Sequence, residues 1–422
     1  MRILYTVLAV AEGAALVVSS LYCLYLAVIA VWGLFPSRKL KKTDGEKKIR
    51  FAVLVPARNE ESVIAGAVKS LLAQEYPREL FDVYVLPNNC SDKTEEKARE
   101  AGALILRPEG TIRSKGDVLR IALETLRKEK RYDAFAVFDA DNRASPSFLS
   151  EIAKPLAAGY EVAQGFRESS NPTATFTSAS CSAYYWMDNY FYSQARWNLG
   201  GSALINGTGF AFTEKVMETS GGWDTVTLVE DIEFSGRCAV NGFPVAWAPA
   251  AVTYDEQPER FVTAWKQRMR WTVGMYQCIR ALNARLLSSI GKAGRSAFML
   301  IDMALFYAFP IFGIVGTAAF VTSAARNLVG VAAGYIPWYV ALTRACFGLI
   351  GMWLGPTLIA AAASIRAKKS FRLSIKGVLG FFVFTISWVP IAVISLFRRD
   401  QKWEEIEHRT TRDVDSLVND RQ

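Results

Sequence analysis

Four long runs of apolar residues dominate the hydropathy pattern of the chain. Gly13–Phe35 and Met303–Ala325 contain no charged residue, and further apolar runs cover Ala345–Ile365 and Gly377–Phe397. A helix that crosses a bilayer needs about 20 such residues. The first run is too long for the core of a signal peptide, and no small-residue cleavage site follows it. The pattern therefore predicts membrane-spanning helices near both ends of the chain.

The segment between Ile49 and Asp255 has a different pattern, in which short apolar runs alternate with amphipathic stretches. The composition of strands is found at 51–57, 81–92, 103–106 and 132–142, and helical spacing at 65–72, 93–101 and 117–128. This alternation predicts an α/β domain with a parallel, Rossmann-like sheet that helices cover on both faces. Ligands of such sheets bind outside the carboxyl ends of the strands, where the polar clusters of this segment fall.

Positive charge is concentrated beside the apolar runs. The formal net charge is +9, and Arg38–Arg50 contains seven Lys and Arg. Because cationic residues next to a span favour the cytoplasmic side, we expect the N-terminus outside and the α/β domain in the cytoplasm. Arg260–Arg295 has eight Lys and Arg and no acid, which predicts an interfacial amphipathic helix beside anionic headgroups. Since these charges lie at membrane borders, we expect no nucleic-acid partner.

Cysteine and histidine give little support for other chemistries. The six cysteines are scattered without a CxxC pair, and His408 is the single histidine. We therefore expect neither a disulfide framework nor a metal site built from cysteine or histidine. No GxGxxG or P-loop fingerprint follows a predicted strand, which argues against a nicotinamide dehydrogenase or a P-loop nucleotidase.

The strongest chemical signal is the sequence Asp139-Ala140-Asp141 at the end of an apolar run. Two neighbouring carboxylates raise each other's pKa, which makes their placement together costly. A divalent cation resolves that conflict, and oxygen ligands suit Mg²⁺ or Mn²⁺, which can also hold a diphosphate. An acidic turn after a strand is the alternative for this sequence taken alone.

Other polar clusters follow the remaining strands or open helices. They are PARNEE (56–61), PNNCSDKT (87–94), RSKGDVLR (113–120), LVED (228–231) and QRMRW (267–271). Lys115 directly precedes a helix whose N-terminus would favour an anion. In the last cluster, Gln267, Arg270 and Trp271 share one helix face.

A neighbouring apolar face of the same helix could lie on the membrane surface. It consists of Phe261, Trp265, Met269 and Val273. The alternative for this helix is a membrane-surface role alone.

The order of these motifs resembles that of membrane-bound family 2 glycosyltransferases, the group that includes cellulose, chitin, hyaluronan and bacterial exopolysaccharide synthases. PxRNE, NCSDxT, SKGxxLR, DAD, GTGF (207–210), ED and QxxRW occur in sequence between about residue 50 and residue 275. The resemblance implies a GT-A catalytic domain, a nucleotide-sugar donor (with UDP as the expected nucleotide) and an Mg²⁺ or Mn²⁺ cofactor.

The resemblance also implies a role for each matching residue. Donor binding is expected from Pro56, Ala57, Arg58, Glu60, Asn88, Lys115, Asp139, Asp141, Gln267 and Arg270. Asp141 and Asp139 would bind the metal, and Asp231, with Glu230 beside it, would be the catalytic base. Acceptor contacts are expected from Trp271, Gly207, Thr208 and Gly209. Asn88 departs from the family pattern, in which an Asp contacts uracil, so the base stays open.

The resemblance implies a single displacement in which Asp231 takes the proton of the acceptor hydroxyl, so that an α-linked donor gives a β-linked product. The corresponding domain organisation is a span (1–36), a cytosolic GT-A domain (48–255), interfacial helices carrying QxxRW (256–296), C-terminal spans (297–397) and a polar tail (398–422). The expected location is a multi-pass protein of the plasma or inner membrane.

Three functions remain open at this stage. The first is a processive synthase of a β-linked polysaccharide, and the second is a non-processive transferase that adds one sugar to a lipid or lipid-linked acceptor. The third is a transporter or scaffold without enzymatic activity. The topology is also open, because FRLSIKG (371–377) and KWEEIEHR (402–409) both resemble cytosolic segments of the family although one apolar run separates them.

Overall fold

A computed structural model describes residues 1–40, 48–292 and 296–398. Its strands are β1 (Phe51–Ala57), β2 (Phe81–Pro87), β3 (Leu104–Ile105), β4 (Ala134–Val137), β5 (Arg143–Ala144), β6 (Val162–Ser169), β7 (Phe210–Thr213) and β8 (Val245–Asp255). The segment KWEEIEHR and the predicted polar tail beyond Arg398 lie outside the described residues.

Helices precede, connect and follow these strands. They are α1 (Arg2–Val31), α2 (Ile64–Leu72), α3 (Thr94–Glu100), α4 (Lys115–Lys128), α5 (Phe148–Ala157), α6 (Phe176–Met187), α7 (Ala195–Asn198), α8 (Glu214–Ser220), α9 (Glu230–Asn241), α10 (Phe261–Ser288), α11 (Ala297–Tyr307), α12 (Phe309–Ala332), α13 (Trp338–Arg366), α14 (Phe371–Ile386) and α15 (Trp388–Leu396). A π-helix, Asp188–Gln194, connects α6 and α7.

The strands form one mixed sheet in the order β3-β2-β1-β4-β7-β6-β8-β5. The first half agrees with the predicted parallel arrangement, because β1 pairs in parallel with β2 and β4. The prediction is wrong for the second half, where β7 runs antiparallel to both β4 and β6. The antiparallel strands belong to the part of the chain beyond residue 142, for which the sequence pattern assigned no strands.

The register of the parallel strands determines where the site forms. Phe51 aligns with Phe81 on one side and with Ala134 on the other, so β1, β2 and β4 run side by side in the same direction. Their side chains are apolar on both faces because helices cover both sides of the sheet. The loops that follow these strands therefore open at one edge, as the sequence predicts.

Among the described residues, four helical segments are long and apolar enough to cross a membrane: Arg2–Leu34, Phe309–Ala332, Trp338–Arg366 and Ser374–Leu396. The predicted run Met303–Ala325 is corrected, because the helix breaks at Ala308 and a new one begins with Pro310 in its first turn. Met303 and Tyr307 belong to α11 and are buried against protein.

Three of these segments, α1, α12 and α13, meet at the ends that lie away from the sheet. There Arg326 of α12 forms an ion pair with Glu12 of α1, Nε to Oε2 2.7 Å. In the same region the rings of Tyr5 and Tyr335 pack edge to face. At the opposite end, Arg366 donates to the carbonyl of Gly33, which joins α13 to the end of α1 that adjoins the catalytic domain.

The fourth apolar segment packs differently, because it contacts the catalytic domain along its length. Just before α14, Lys369 forms a buried ion pair with Glu168 of β6 at 2.9 Å. Within α14, Gly377 lies directly against the backbone of Ala179 in α6. Near the end of α15, the hydroxyl of Tyr276 donates to the carbonyl of Ala392. FRLSIKG is thus the start of a helix that packs against the rest of the protein.

Candidate active site

One cavity of about 1690 Å³ opens at the carboxyl edge of β1, β2 and β4 and extends between the apolar helices. It brings together most of the residues predicted for the site. These are Pro56, Ala57, Arg58, Glu60, Asn88, Lys115, Asp139, Asp141, Gly207, Glu230, Asp231, Gln267, Arg270 and Trp271. Asp139, Asp141 and Asp231, which are more than 90 residues apart in sequence at their extremes, therefore share one wall.

Lys115 connects the acidic groups of this wall. Its ammonium donates to Oδ1 of Asp139 at 2.6 Å and to the carbonyl of Gly207 at 2.8 Å. Oε1 of Glu230 lies 3.6 Å away. Lys115 opens α4, whose first turn is stabilised by a capping box between Ser114 and Asp117. The helix N-terminus and the ammonium together provide a positive end for a phosphate-bearing ligand.

Gly207 leaves room for the carboxylates of Asp139 and Asp231 to approach one another. Its φ of +88° is a backbone conformation that L side chains rarely adopt. A Cβ at this position would lie 3.3 Å from Oδ2 of Asp231 and 4.0 Å from Oδ2 of Asp139. Any side chain here would therefore occupy the space between the carboxylates, which is where a reacting group would have to fit.

Burial and neighbouring charges change the pKa values of two groups in this site, Asp231 and Lys115. Burial raises the pKa of Asp231 to about 7, with repulsion from Glu230 in the same direction and attraction to Lys115 opposing it. For Lys115, burial lowers the pKa, but the carboxylates of Asp139 and Glu230 outweigh it, so the pKa lies above its ordinary value. A carboxylate with a raised pKa next to a permanent cation is suited to accepting a proton near neutral pH.

Helix α10 brings the QxxRW residues to the cavity by a close approach to α9. A Cβ at Gly274 would lie 2.5 Å from a methyl group of Val229, so only glycine permits this contact. The side chain of Gln277 accepts from the backbone N–H of Leu228 at 2.9 Å. Gln267, Arg270 and Trp271 consequently line the same cavity as Glu230 and Asp231 at the start of α9.

The end of the cavity for which the sequence predicts nucleotide contacts lies where β1 and β2 end. The side-chain amide of Asn88 donates to the carbonyl of Ala57 at 3.1 Å, and the backbone N–H of Asn88 donates to the same oxygen at 3.0 Å. The backbone N–H of Glu60 donates to the hydroxyl of Thr94. Asn88 therefore joins the two strand ends as well as facing the cavity.

Two of the residues predicted for acceptor contact lie beneath the cavity instead of on its wall. Thr208 is fully buried, where its hydroxyl accepts from the N–H of Asp139 and donates to the side chain of Asn142. Gly209 packs against Thr253. The prediction treated GTGF as a unit, but of the three residues named for acceptor contact only Gly207 lies on the cavity wall.

The predicted apolar face of α10 also needs correction. Met269 and Val273 are buried by protein, whereas Phe261 is partly exposed at the start of the helix. The cause is α14 and α15, which pack on α10 and cover the face that could otherwise lie on a membrane. Arg268, in the middle of QRMRW, is buried with them.

The carboxylate oxygens on the cavity wall suit a divalent cation that is also bound by oxygens of a substrate. Among the described residues, no group of three or more His, Cys, Asp and Glu side chains forms a metal site. Mg²⁺ and ions like it, however, commonly use one or two carboxylates and take further oxygens from substrate phosphates and water. Asp139 and Asp141, one residue apart on the cavity wall, supply such a pair.

The part of the cavity away from the sheet has a largely apolar wall beside the buried ion pair of Arg196 and Asp302, and sequence reasoning missed it. Leu26 and Ala30 of α1, Phe309 of α12, and Leu358 and Ile359 of α13 line it. Tyr184 and Trp388 stand between this part and Trp271, with ring centroids 6.3 and 6.4 Å from that of Trp271. No motif marks these residues, because they come from five helices at separate places in the sequence.

Comparison with known proteins identifies the family of this site. Residues 49–274, more than half of the chain, match the model described as "Glycosyltransferase like family 2". The chain belongs to this family. The family accounts for the GT-A-like α/β fold and for an enzyme that uses a nucleotide sugar, and it makes a transporter or a non-enzymatic scaffold the wrong reading of the sequence.

Relatives with broad coverage are also glycosyltransferases. A "Probable glycosyltransferase YdaM" of Bacillus subtilis is 26% identical over 379 residues, 85% of this chain and 84% of its own length. A "Beta-monoglucosyldiacylglycerol synthase" of Nostoc is 24% identical over 373 residues, 85% of this chain and 76% of its own.

A solved structure shares the fold. It is the mannosyltransferase PcManGT from Pyrobaculum calidifontis, described in complex with GDP-Man and Mn²⁺, with a TM-score of 0.57, 18% identity, and coverage of 93% of this chain and 98% of its own.

Proposed function

We propose that this family 2 glycosyltransferase transfers one sugar from a nucleotide sugar to a hydroxyl group of a membrane lipid of the diacylglycerol class. The observation that carries the proposal is the continuity of the cavity, which has carboxylates and cations at the sheet edge and apolar helix residues at its other end. A water-soluble acceptor would not need an apolar wall formed by α1, α12 and α13. The similarity to a monoglucosyldiacylglycerol synthase supports the same acceptor class.

In the proposed reaction, Asp231 accepts the proton of the lipid hydroxyl as its oxygen attacks the anomeric carbon. The bond between that carbon and the diphosphate breaks in the same displacement, so the anomeric configuration inverts. Burial of Asp231 and its position beside Gly207 support this role. Glu230 contributes to the raised pKa of Asp231 and, through its contact with Lys115, to the orientation of the ammonium.

The leaving diphosphate gains negative charge, and the positive groups of the cavity wall can stabilise it. Arg58, Lys115 and Arg270 are the cations among the predicted site residues that line this cavity, and Lys115 lies beside Glu230. We propose that Asp139 and Asp141 hold Mg²⁺ or Mn²⁺ in the donor complex, where the ion neutralises the diphosphate. Pro56, Ala57, Arg58, Glu60 and Asn88 would hold the nucleoside, which we expect to be uridine.

Polysaccharide synthesis of the cellulose, chitin, hyaluronan or exopolysaccharide type is the second candidate. The rings of Trp271 and Tyr184 on the cavity wall are the kind of surface on which an acceptor sugar stacks, and they support a saccharide acceptor. The apolar extension of the cavity favours the lipid, because a growing sugar chain would have to leave along residues that offer it few hydrogen bonds.

The two functions differ in product length and acceptor dependence. The purified protein is incubated with a panel of UDP- and GDP-sugars, Mn²⁺ and dioleoylglycerol in mixed micelles, and the lipid extract and the aqueous phase are analysed separately. We expect a single lipid product with one added sugar. A ladder of water-soluble oligomers, or turnover that does not depend on the lipid, contradicts the proposal.

We further propose a membrane arrangement in which α1, α12 and α13 cross the bilayer and the catalytic domain is cytoplasmic. The contacts of α14 and α15 with the catalytic domain at both ends, through Lys369 and Ala392, support a segment that stays on the catalytic side. With three crossings, Arg398 lies in the cytoplasm and the N-terminus outside.

This arrangement can be tested with single cysteines in intact cells, on a background without the native cysteines. Ala332 ends α12 and is exposed, and Arg398 is the last described residue. We expect Ala332→Cys to react with a membrane-impermeant maleimide from outside, and Arg398→Cys to react only after permeabilisation. Labelling of both positions from outside contradicts the arrangement of α14 and α15.

A further inference from the structure

Trp388 lies at the boundary between the two parts of the cavity. Its ring centroid is 6.4 Å from that of Trp271 at an interplanar angle of 29°, and 6.0 Å from that of Phe309 at 86°. Trp271 belongs to the QxxRW motif, and Phe309 begins a membrane helix. Trp388 therefore connects the reaction centre with the apolar wall, although it lies outside the residues that match the family model.

The position of this ring depends on a break between α14 and α15. Helix α14 ends at Ile386, and α15 begins at Trp388 after the turn residue Ser387. The last carbonyl groups of a helix have no partner within the helix and are costly to leave unpaired in an apolar setting. A group that binds them therefore determines where the helix ends and where the next side chain points.

Arg268 is that group. Its guanidinium donates to the carbonyl of Phe384 at 2.8 Å and to the hydroxyl of Ser387 at 2.6 Å. The guanidinium carbon also lies 4.1 Å from the centre of the Phe384 ring. Arg268 is 1% exposed. A cation at a helix C-terminus is electrostatically favourable as well as a hydrogen-bond donor.

We propose that Trp388 is a specificity-determining residue that positions the apolar segment next to the accepting hydroxyl of the lipid, and that Arg268 is a positioning residue that holds Trp388 in place. This inference rests on the proposed lipid acceptor. An indole ring suits the position, because it offers a large rigid apolar surface and one polar edge where a polar headgroup meets acyl chains.

The test separates acceptor binding from donor binding. With dioleoylglycerol as the acceptor and the nucleotide sugar selected by the donor panel, we expect Trp388→Ala to raise the acceptor KM about tenfold, the loss of about 1.4 kcal/mol of binding. Trp388→Phe should give a smaller increase. The affinity for UDP, measured by calorimetry with Mn²⁺, should not change in either variant. Trp338→Ala, at an exposed tryptophan of α13, is the matched control.

The role of Arg268 is tested by non-additivity. Arg268→Gln should raise the acceptor KM in the wild-type background but add little in the Trp388→Ala background, since it acts through that ring. Arg268→Lys should recover part of the effect. Independent, additive losses, or an equal loss of UDP affinity, contradict the positioning role.

The possible failures are distinguishable. If the wild-type protein glycosylates dioleoylglycerol and both Trp388 variants retain its acceptor KM, the inference about Trp388 is wrong and the proposed function stands. If the wild-type protein glycosylates no lipid, both are wrong.

Discussion

The two walls of the cavity are built in different ways. The proposed donor wall combines the loops that follow β1, β2 and β4 with the first turns of α4 and α9, and it carries Lys115, three aspartates and a glycine at φ +88°. The acceptor wall consists of side chains from α1, α12, α13 and α15, which meet by helix packing. Under the proposed function, the difference teaches that the chemistry depends on local backbone geometry, whereas the choice of acceptor depends on how the apolar helices assemble.

The comparison predicts that substitutions on the donor wall reduce turnover with every acceptor. Asp231→Asn has the largest expected effect, because the asparagine side chain keeps the shape of the aspartate but cannot accept the proton. We expect kcat to fall by about 10²–10⁴-fold, while Mn²⁺-dependent UDP binding persists. Asp224→Asn, at an exposed aspartate outside the cavity, should leave turnover unchanged. Turnover that survives in Asp231→Asn means that the base is another residue.

Lys115→Met should have the next largest effect. The substitution keeps the length of the side chain but removes the ammonium that contacts Asp139 and Gly207. Since removal of one preorganised donor to developing charge typically costs about 100-fold or more, we expect a loss of that size in kcat/KM for the donor. Lys154→Met, which removes an exposed ion pair with Glu151, is the control. Equal activities of the two variants would contradict a role for Lys115 at the diphosphate.

On the acceptor wall, Leu358→Ser should raise the lipid KM by about tenfold and leave the donor KM unchanged, because a bound acyl chain would cover the exposed Leu358, and burial of a leucine side chain is worth about 1.5 kcal/mol or more. Leu349→Ser is a close control, since it lies on the same helix with a similar exposure, 55% against 58%, but outside the cavity. A change in donor KM, or the same lipid KM in both variants, would contradict the division between the walls.

The smallest expected effect is that of pH. Asp231 must be deprotonated to act, and its pKa of about 7 lies above that of an ordinary aspartate because of burial and the nearby Glu230. The donor kcat/KM should therefore fall as the pH decreases through 7, with about half of the maximum at the pKa. Lys115, with its raised pKa, stays charged over this range. A flat profile down to pH 5 would contradict the environment assigned to Asp231.

The predictability of the two walls differs for a physical reason. Short apolar runs in the sequence predicted strand β1 and the ends of β2 and β4. The motifs at those strand ends share the cavity, as expected. The burial of Thr208 could not be read from the sequence, because it depends on which way each residue of GTGF turns. Leu358 and Trp388 carry no local signal, since their roles depend on the packing of distant helices. The antiparallel half of the sheet carries no local signal either, because its strands pair with partners that are distant in sequence.

The most direct test of the shared cavity is photo-crosslinking with a diacylglycerol that carries a diazirine near the start of one acyl chain. We predict labelling of the α1 and α13 segments that contain Leu26, Leu358 and Ile359, competed by excess dioleoylglycerol. Labelling confined to positions such as Leu328 and Phe347, which are exposed on the outer helix surface and outside the cavity, would contradict a cavity that holds donor and lipid together.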